Sequence, residues 1–273
     1  MKIRNILYSA AVAAMTIALG SCSNIGEDER LIEVEIPQAQ RAVLIEDFTG
    51  QFCPNCPNAA DEIETLSEAY GSDKIIAVAI HSGPQGFAGG TEEMPGLMTD
   101  LGNEYYNGYG IEYQPQGVID KDGKKLAYTD WAAAVRSELQ KVALLNIEVT
   151  NDYAEATRKL TVKTNVETVK GVDGTIGGTL QLWLVEDGIT SIQSMPDGSY
   201  NMSYTHNHVF RDAVNGKQGE PVSMTEDTPA EKTYTYDIPA NWKPEHLSVV
   251  AFVYNGSGVL QVVKKPLVSE QNN

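Results

Sequence analysis

The chain has 273 residues, and its 20 basic and 37 acidic side chains leave a formal charge of −17. Such a surface repels nucleic acid and anionic lipid headgroups, so neither is an expected partner. The length favours two domains over one, and 42% apolar residues with three tryptophans and 13 tyrosines suffice for a packed core in each.

Residues 1–21 read as a leader rather than as part of the fold. Lys2 and Arg4 give a basic start, and residues 6–19 form an apolar run too short and too alanine-rich for a membrane span. The run closes on Leu19-Gly20-Ser21-Cys22, which resembles a bacterial lipobox. That resemblance implies that Cys22 becomes the lipidated first residue of the mature chain, held by acyl chains. Residues 22–30, acidic at Glu27, Asp28 and Glu29, then serve as a tether, and residues 269–273 as a tail.

Export sets the redox compartment. With Cys22 assigned to lipid, Cys53 and Cys56 have only each other, and an oxidising space permits a bridge between them. Zinc is disfavoured, because there is no second cysteine pair. His81, His206, His208 and His246 also lack finger-like spacing to Cys53 and Cys56.

The first domain is expected over residues 31–144. Residues 31–36 alternate as a half-buried edge strand, and residues 41–48 form a buried central one. Ala59, Ala60, Ile63, Leu66 and Ala69 recur at helical spacing after Cys56, with Pro57 in the first turn and Gly71 as the stop. Residues 74–80 are a second apolar strand ending at His81. The glycine-rich loop 82–90 follows; it lacks Walker spacing and a Lys-Ser/Thr ending, so it is no phosphate loop. A short helix near 97–106, a hairpin turning through 121–124, and an amphipathic helix over 131–142 capped by Asp130 complete the domain. The order is strand, helix, strand, helix, strand, strand, helix.

Two matches resemble the thioredoxin superfamily. The first is Val43-Leu44-Ile45-Glu46-Asp47-Phe48 followed by Cys53-Pro54-Asn55-Cys56, with Asp47 six residues before the first cysteine. The second is Tyr109-Gly110-Ile111, then Pro115, then Lys121-Asp122-Gly123. The resemblance implies roles. Cys53 becomes the exposed nucleophile at a helix N-terminus, and Cys56, more buried, resolves the mixed disulfide. Asp47 moves the proton of Cys56. Pro115, if cis, faces the sulfurs and leaves the Gln114 backbone free to pair with an extended peptide. Phe52 stands where the family has tryptophan and borders the same substrate site, and Thr49 replaces the usual aromatic after the acid. His81 reads as a polar strand-end residue or a catalytic partner.

The second domain is expected over residues 145–268. Seven strand patterns, at 145–149, 159–166, 179–185, 208–214, 232–238, 247–254 and 259–264, suggest an immunoglobulin-like sandwich. Turns fall at Asp173-Gly174, Asp187-Gly188, Asp197-Gly198, Asn215-Gly216 and Asn255-Gly256. His206 and His208, two apart on a strand, would face one side as a ligand pair, with Asp212 and His246 as further candidates; polar packing at a sheet end is the alternative. Tyr200, Tyr204, Tyr234 and Tyr236 read as one exposed face or as ordinary sheet residues.

The fold class is therefore an α/β thioredoxin-like domain followed by an all-β immunoglobulin-like sandwich. This layout, with the segment 204–211 and the ending 249–255, resembles the Omp-type thioredoxin-fold outer-membrane lipoproteins of Bacteroidales. The resemblance implies an outer-membrane lipoprotein, periplasmic or surface-facing; no cofactor and no metal is expected from the residues. Two functions stand side by side. One is a thiol–disulfide oxidoreductase whose partners are cysteine-containing envelope proteins. The other is a surface binding or adhesion lipoprotein in which the cysteine bridge is a structural staple. The oligomeric state is left open.

Overall fold

The computed structural model describes residues 40–268. The leader, Cys22, the tether, the edge strand at 31–36 and the tail lie outside the described residues. Within them the protein is mostly β, with few helices. Strand β1 (Val43–Thr49) and strand β2 (Ile75–His81) are buried at every position and pair in parallel. Helix α1 (Cys56–Tyr70) crosses between them, and helix α2 (Asp100–Tyr109) follows β2. Strand β3 (Gln116–Ile119) then adds antiparallel to β1 and strand β4 (Leu126–Ala127) antiparallel to β3, and helix α3 (Trp131–Leu139) closes the segment.

Local chemistry explains these elements. The runs of β1 and β2 carry apolar residues on both faces, as a strand covered on two sides requires. Pro57 sits in the first turn of α1, where a missing N–H removes a donor without an intrahelical partner. Thr99 caps α2 by accepting from Gly102 N at 3.0 Å, and Gly110 ends it at a left-handed φ of 62°. The expected cap of α3 is absent: Asp130 makes no side-chain capping bond. It is the last residue of a 3-10 turn leading straight into the helix, so the backbone is already helical there.

The remaining strands are β5 (Leu145–Ala154), β6 (Lys159–Thr168), β7 (Ile176–Glu186), β8 (Ile189–Ser194), β9 (Tyr200–His206), β10 (Val209–Ala213), β11 (Glu220–Met224), β12 (Ala230–Asp237), β13 (Leu247–Asn255) and β14 (Gly258–Pro266). All seven expected strands are present. The additional ones are β8, β9 and β11. Strands β12, β6 and β5 form a three-stranded sheet, and β8 with β9 a separate two-stranded one. The face of β5, β6 and β12 packs on β7 and β13 through Leu145, Leu160, Val162, Leu182, Leu184 and Val249.

The expected boundary at 144/145 is not a boundary of packing. One sheet runs β14-β13-β7-β10-β2-β1-β3-β4, with β11 also on β7. Residues from both segments share a core in which Phe48, Ile80 and Val118 lie with Trp183, Phe210 and Phe252. The other face of β1 and β2 is covered by α1 and α3, through Ile63, Leu66, Trp131 and Val135. Gly117 lets Trp131 approach: a Cβ there would fall 2.5 Å from the indole ring. The two segments merge because β2 offers an unpaired edge that β10 fills, where a linker would have left that edge exposed.

Buried charge ties the segments further. Arg41 donates to Asp120 at 2.7 Å, to Glu138 at 3.1 Å and to the carbonyls of Val259 and Leu260 on β14. Glu46, wholly buried on β1, accepts from Tyr109 Oη at 2.9 Å and from Lys121 Nζ at 3.1 Å. The Lys121 ammonium lies between the rings of Tyr109, Trp183, Phe252 and Tyr254, at 5.2 to 5.8 Å from their centroids. Each ring face is electron-rich, so the cage favours the cation that neutralises Glu46. Lys121→Met keeps the volume but leaves Glu46 buried without its cation, and should cost about 3–5 kcal/mol in urea unfolding. Adding Glu46→Gln should recover most of that loss; a double variant as unstable as the single one would show that packing, not charge, is what Lys121 supplies.

Candidate functional site

The cysteine pair sits where β1 turns into α1, and it is a disulfide, Cys53–Cys56. The α-helix begins at Cys56, not at Cys53. Pro54 and Asn55 are exposed, while both cysteines are buried. Cys53 is 0% exposed and Cys56 3%. The expectation of Cys53 as the exposed nucleophile is therefore corrected.

What buries Cys53 is the β8–β9 hairpin. Ser194 N donates to Gln51 O at 2.8 Å, and Gln193 Nε2 donates to Cys53 O at 2.9 Å and to Gly50 O at 3.3 Å. Gln51, wholly buried, returns the contact: its Nε2 donates to Ser191 Oγ at 2.9 Å and to Pro95 O at 3.1 Å, and its Oε1 accepts from Leu97 N at 2.8 Å. The loop after β2 closes the remaining side. Phe52 N donates to Gln85 O at 2.9 Å, and a Cβ on Gly50 would lie 2.3 Å from that oxygen, so only glycine allows the approach. The base of the hairpin is pinned at both ends. Asn207 Oδ1 accepts from Gly188 N at 2.9 Å, and Asp187 Oδ1 accepts from His208 N at 2.7 Å. Burial opposes ionisation of Asp187, but the His208 and Lys264 contacts outweigh it and hold the carboxyl below its usual range.

Beneath the disulfide lies a cleft of about 900 Å³. Helix α1 forms one wall, β9 and β14 the other, and β2 the floor. Asp47, Cys56, His81, Gln193, Tyr204 and His206 all line it; Cys53 does not. Burial pushes the Asp47 carboxyl up to about 8. His81 is held neutral, far below its usual range, by burial and by the neighbouring His206 and Arg211. Burial brings His206 down to about 4. The two imidazoles meet edge to face with centroids 5.2 Å apart. Asp47 Oδ1, His81 Nδ1 and His206 Nε2 are buried with no hydrogen-bond partner, so three polar atoms along one cleft are left to a guest.

The other expected residues fall as follows. The Gln114–Pro115 peptide is cis, and Pro115 is buried. Gln114 turns its side chain inward, donating to Thr49 O at 2.5 Å and Ser82 O at 2.9 Å, and so joins the ends of β1 and β2. Phe52 is 40% exposed at the rim, 5.4 Å from the Phe87 ring. His206 and His208 do not form a ligand pair. His206 ends β9, whereas His208 has a left-handed φ of 58° in the link to β10, so its ring turns instead to Asp187 and Lys264. The four tyrosines do not share a face: Tyr234 and Tyr236 pack against the sandwich core, Tyr204 lines the cleft and Tyr200 is exposed on the hairpin. Gln51 and Gln193 were invisible in sequence, because nothing local marks a glutamine that will bond to a strand 140 residues away.

Comparison by structure finds HBP35 of Porphyromonas gingivalis at a TM-score of 0.65 and 16% identity, covering 86% of this chain and 79% of that one. A protein of Agrobacterium tumefaciens matches at a TM-score of 0.50 and 17% identity, covering 86% of this chain and 99% of the other. These two show likeness of fold alone. A domain of the outer membrane lipoprotein Omp28 from Porphyromonas gingivalis is 27% identical over 46% of this chain and 90% of its own, at a TM-score of 0.35. No curated protein matches by sequence. Residues 102–271, more than half of the chain, match the family model described as outer membrane protein Omp28, and the chain belongs to that family of outer membrane proteins.

Proposed function

We propose that this outer membrane protein is a lipoprotein anchored through Cys22, with a thioredoxin-like segment that exchanges thiols and disulfides at Cys53 and Cys56. Cysteine-containing proteins of the envelope are its proposed partners. The β-α-β-α-β-β-α order of residues 43–139 supports the thioredoxin-like reading.

One observation carries the redox reading: Asp47 lines the same cleft as Cys56, buried and without a partner for Oδ1. A structural staple has no use for such a group, which only costs stability. Unfolded, an aspartate titrates near 3.8; folded, it titrates near 8. Between those values the folded state binds the extra proton, so stability falls as pH rises through that window, by an amount on the order of 5 kcal/mol in all. A carboxyl retained at that cost and titrating near 8 is suited to pass a proton to and from a thiol.

The alternative is a binding or adhesion protein whose bridge is structural, and the sealing of Cys53 under the hairpin favours it. The redox reading expects the full chain, purified in detergent, to equilibrate with thiol buffers at a potential between about −120 and −270 mV. A bridge below about −300 mV would lie beyond physiological reductants and sink it. Loss of function with retained folding in Cys53→Ser plus Cys56→Ser would reject the alternative.

Asp47→Asn should stabilise the oxidised chain by a few kcal/mol at pH 8.5, by less as pH falls, and leave it little changed below the unfolded aspartate value of 3.8. The same substitution should remove an inflection near pH 8 from the rate of disulfide exchange. Unfolding curves with the same pH dependence in both proteins would show that Asp47 is not the group that titrates.

A further inference from the structure

The two cysteines differ in surroundings, Cys56 lining the cleft and Cys53 not, and the difference runs opposite to the usual order of attack. Cys53 is roofed by Gln193, Ser194 and the loop carrying Gln85, whereas Cys56 forms part of the cleft wall. Cys56 is also the first residue of a 15-residue helix. The partial positive charge of the helix N-terminus therefore acts on its sulfur, favouring the thiolate. Independently of the helix, Asp47 Oδ1 and His81 Nδ1 are fully buried, unpartnered and part of the same cleft, so the space is furnished to receive a hydrogen-bonding guest. The charge at its mouth is one-sided. Asp61, Glu64 and Asp73 stand exposed along the α1 side, while Lys264 on the opposite side is engaged with Asp187 at 2.8 Å.

We propose that exchange proceeds through Cys56 Sγ, reached along the cleft between α1 and β9, and that the cleft takes a low-molecular-weight thiol carrying positive charge. This rests on the redox reading above for exchange at the pair and puts a small thiol in place of a protein as the partner that uses the cleft. An incoming thiolate attacks Cys56 Sγ, the Cys53–Cys56 bond breaks, and Cys53 leaves as the thiolate. A second small thiolate attacks the small-molecule sulfur of the mixed disulfide and releases Cys56. Two thiols become one disulfide, losing two electrons and two protons, and the protein pair takes up both. A folded protein is too large to reach Cys56 by this route while the hairpin stays seated.

The test uses the full chain in detergent, as Cys53→Ser and Cys56→Ser, each treated with cystamine and followed by mass. The free Cys56 of Cys53→Ser should form its mixed disulfide about tenfold faster or more than the free Cys53 of Cys56→Ser. Equal rates, or a faster Cys53, overturn the proposal. Wild-type disulfide should also be opened by cysteamine about tenfold faster than by 3-mercaptopropionate at equal thiolate concentration and low salt. Asp61→Asn with Glu64→Gln should shrink that preference. No preference, or faster reduction by a protein dithiol than by either small thiol, overturns the choice of substrate. If even dithiothreitol fails to open the wild-type bridge, the redox reading falls with it, whereas a reactive Cys53 removes only the present inference.

Discussion

The parallel pairing of β10 with β2 is the contact on which the arrangement of the site depends. It is short: Val209 aligns with Ala79, and Ala79 N donates to His208 O at 2.7 Å. It nevertheless converts two stretches of strand into one sheet. Because β10 lies on β2, the end of β9 arrives next to the end of β2 and sets His206 against His81. The preceding hairpin is then carried across the turn from β1 to α1, and Cys53 is closed off. His208 must adopt a left-handed backbone to make this change of sheet, and its bonds to Asp187 supply the compensation that a non-glycine residue there requires.

Two buried ionic clusters hold the same junction on its far side. Arg41 reaches from just before β1 to the carbonyls of β14, and Lys121 reaches from the β3–β4 turn into rings of β7 and β13. Burying such charges gives little net stability, since desolvation offsets most of the attraction. What they select is geometry. An alternative docking of the two segments would leave Glu46 or Asp120 buried without a cation, a penalty large against the stability of a typical domain. Hydrophobic faces alone would tolerate several sheet registers; these pairs tolerate few.

Most of the framework was legible in the sequence because it is carried by local periodicity. The run around β1, the spacing of Ile63 and Leu66 in α1, and the Asn255-Gly256 turn each announce their element within a few residues. The hairpin was not legible. Strand β8 has only two isoleucines among polar residues, and β9 reads Tyr-Asn-Met-Ser-Tyr-Thr-His, with little apolar character to place it on a sheet. Its strands exist because they pair with each other and because Gln51, Ser191 and Gln193 bond them to the cysteine turn, a tertiary cause with no local pattern. Strand β11 begins Glu-Pro, which argues against a central strand, and it lies beside β7 at the sheet margin. The joining of the sheets rests on residues 79 and 209, whose separation no periodicity can report. Among site residues, the position of Asp47 was readable from its spacing to Cys53, but its isolation was not, because that depends on what packs over β2.

The hairpin and the cleft together constrain any chemistry at the disulfide. Access from above Cys53 requires breaking the Ser194–Gln51 backbone bond and the Gln193 contacts together, and Gln51, a wholly buried amide, would lose its bond to Ser191 at the same time. Each buried donor or acceptor left unmade costs about 1–3 kcal/mol, so lifting the hairpin breaks several such bonds at once and the open form is rare. Access from below requires none of these losses. The cleft already runs to Cys56, and its unpaired Asp47 and His81 atoms gain hydrogen bonds when something enters. Where one route loses bonds and the other makes them, the second dominates unless a partner supplies the energy to open the first. Under the proposed redox reading, a small reactant meets the cleft as it stands, whereas a large one must first displace β8 and β9.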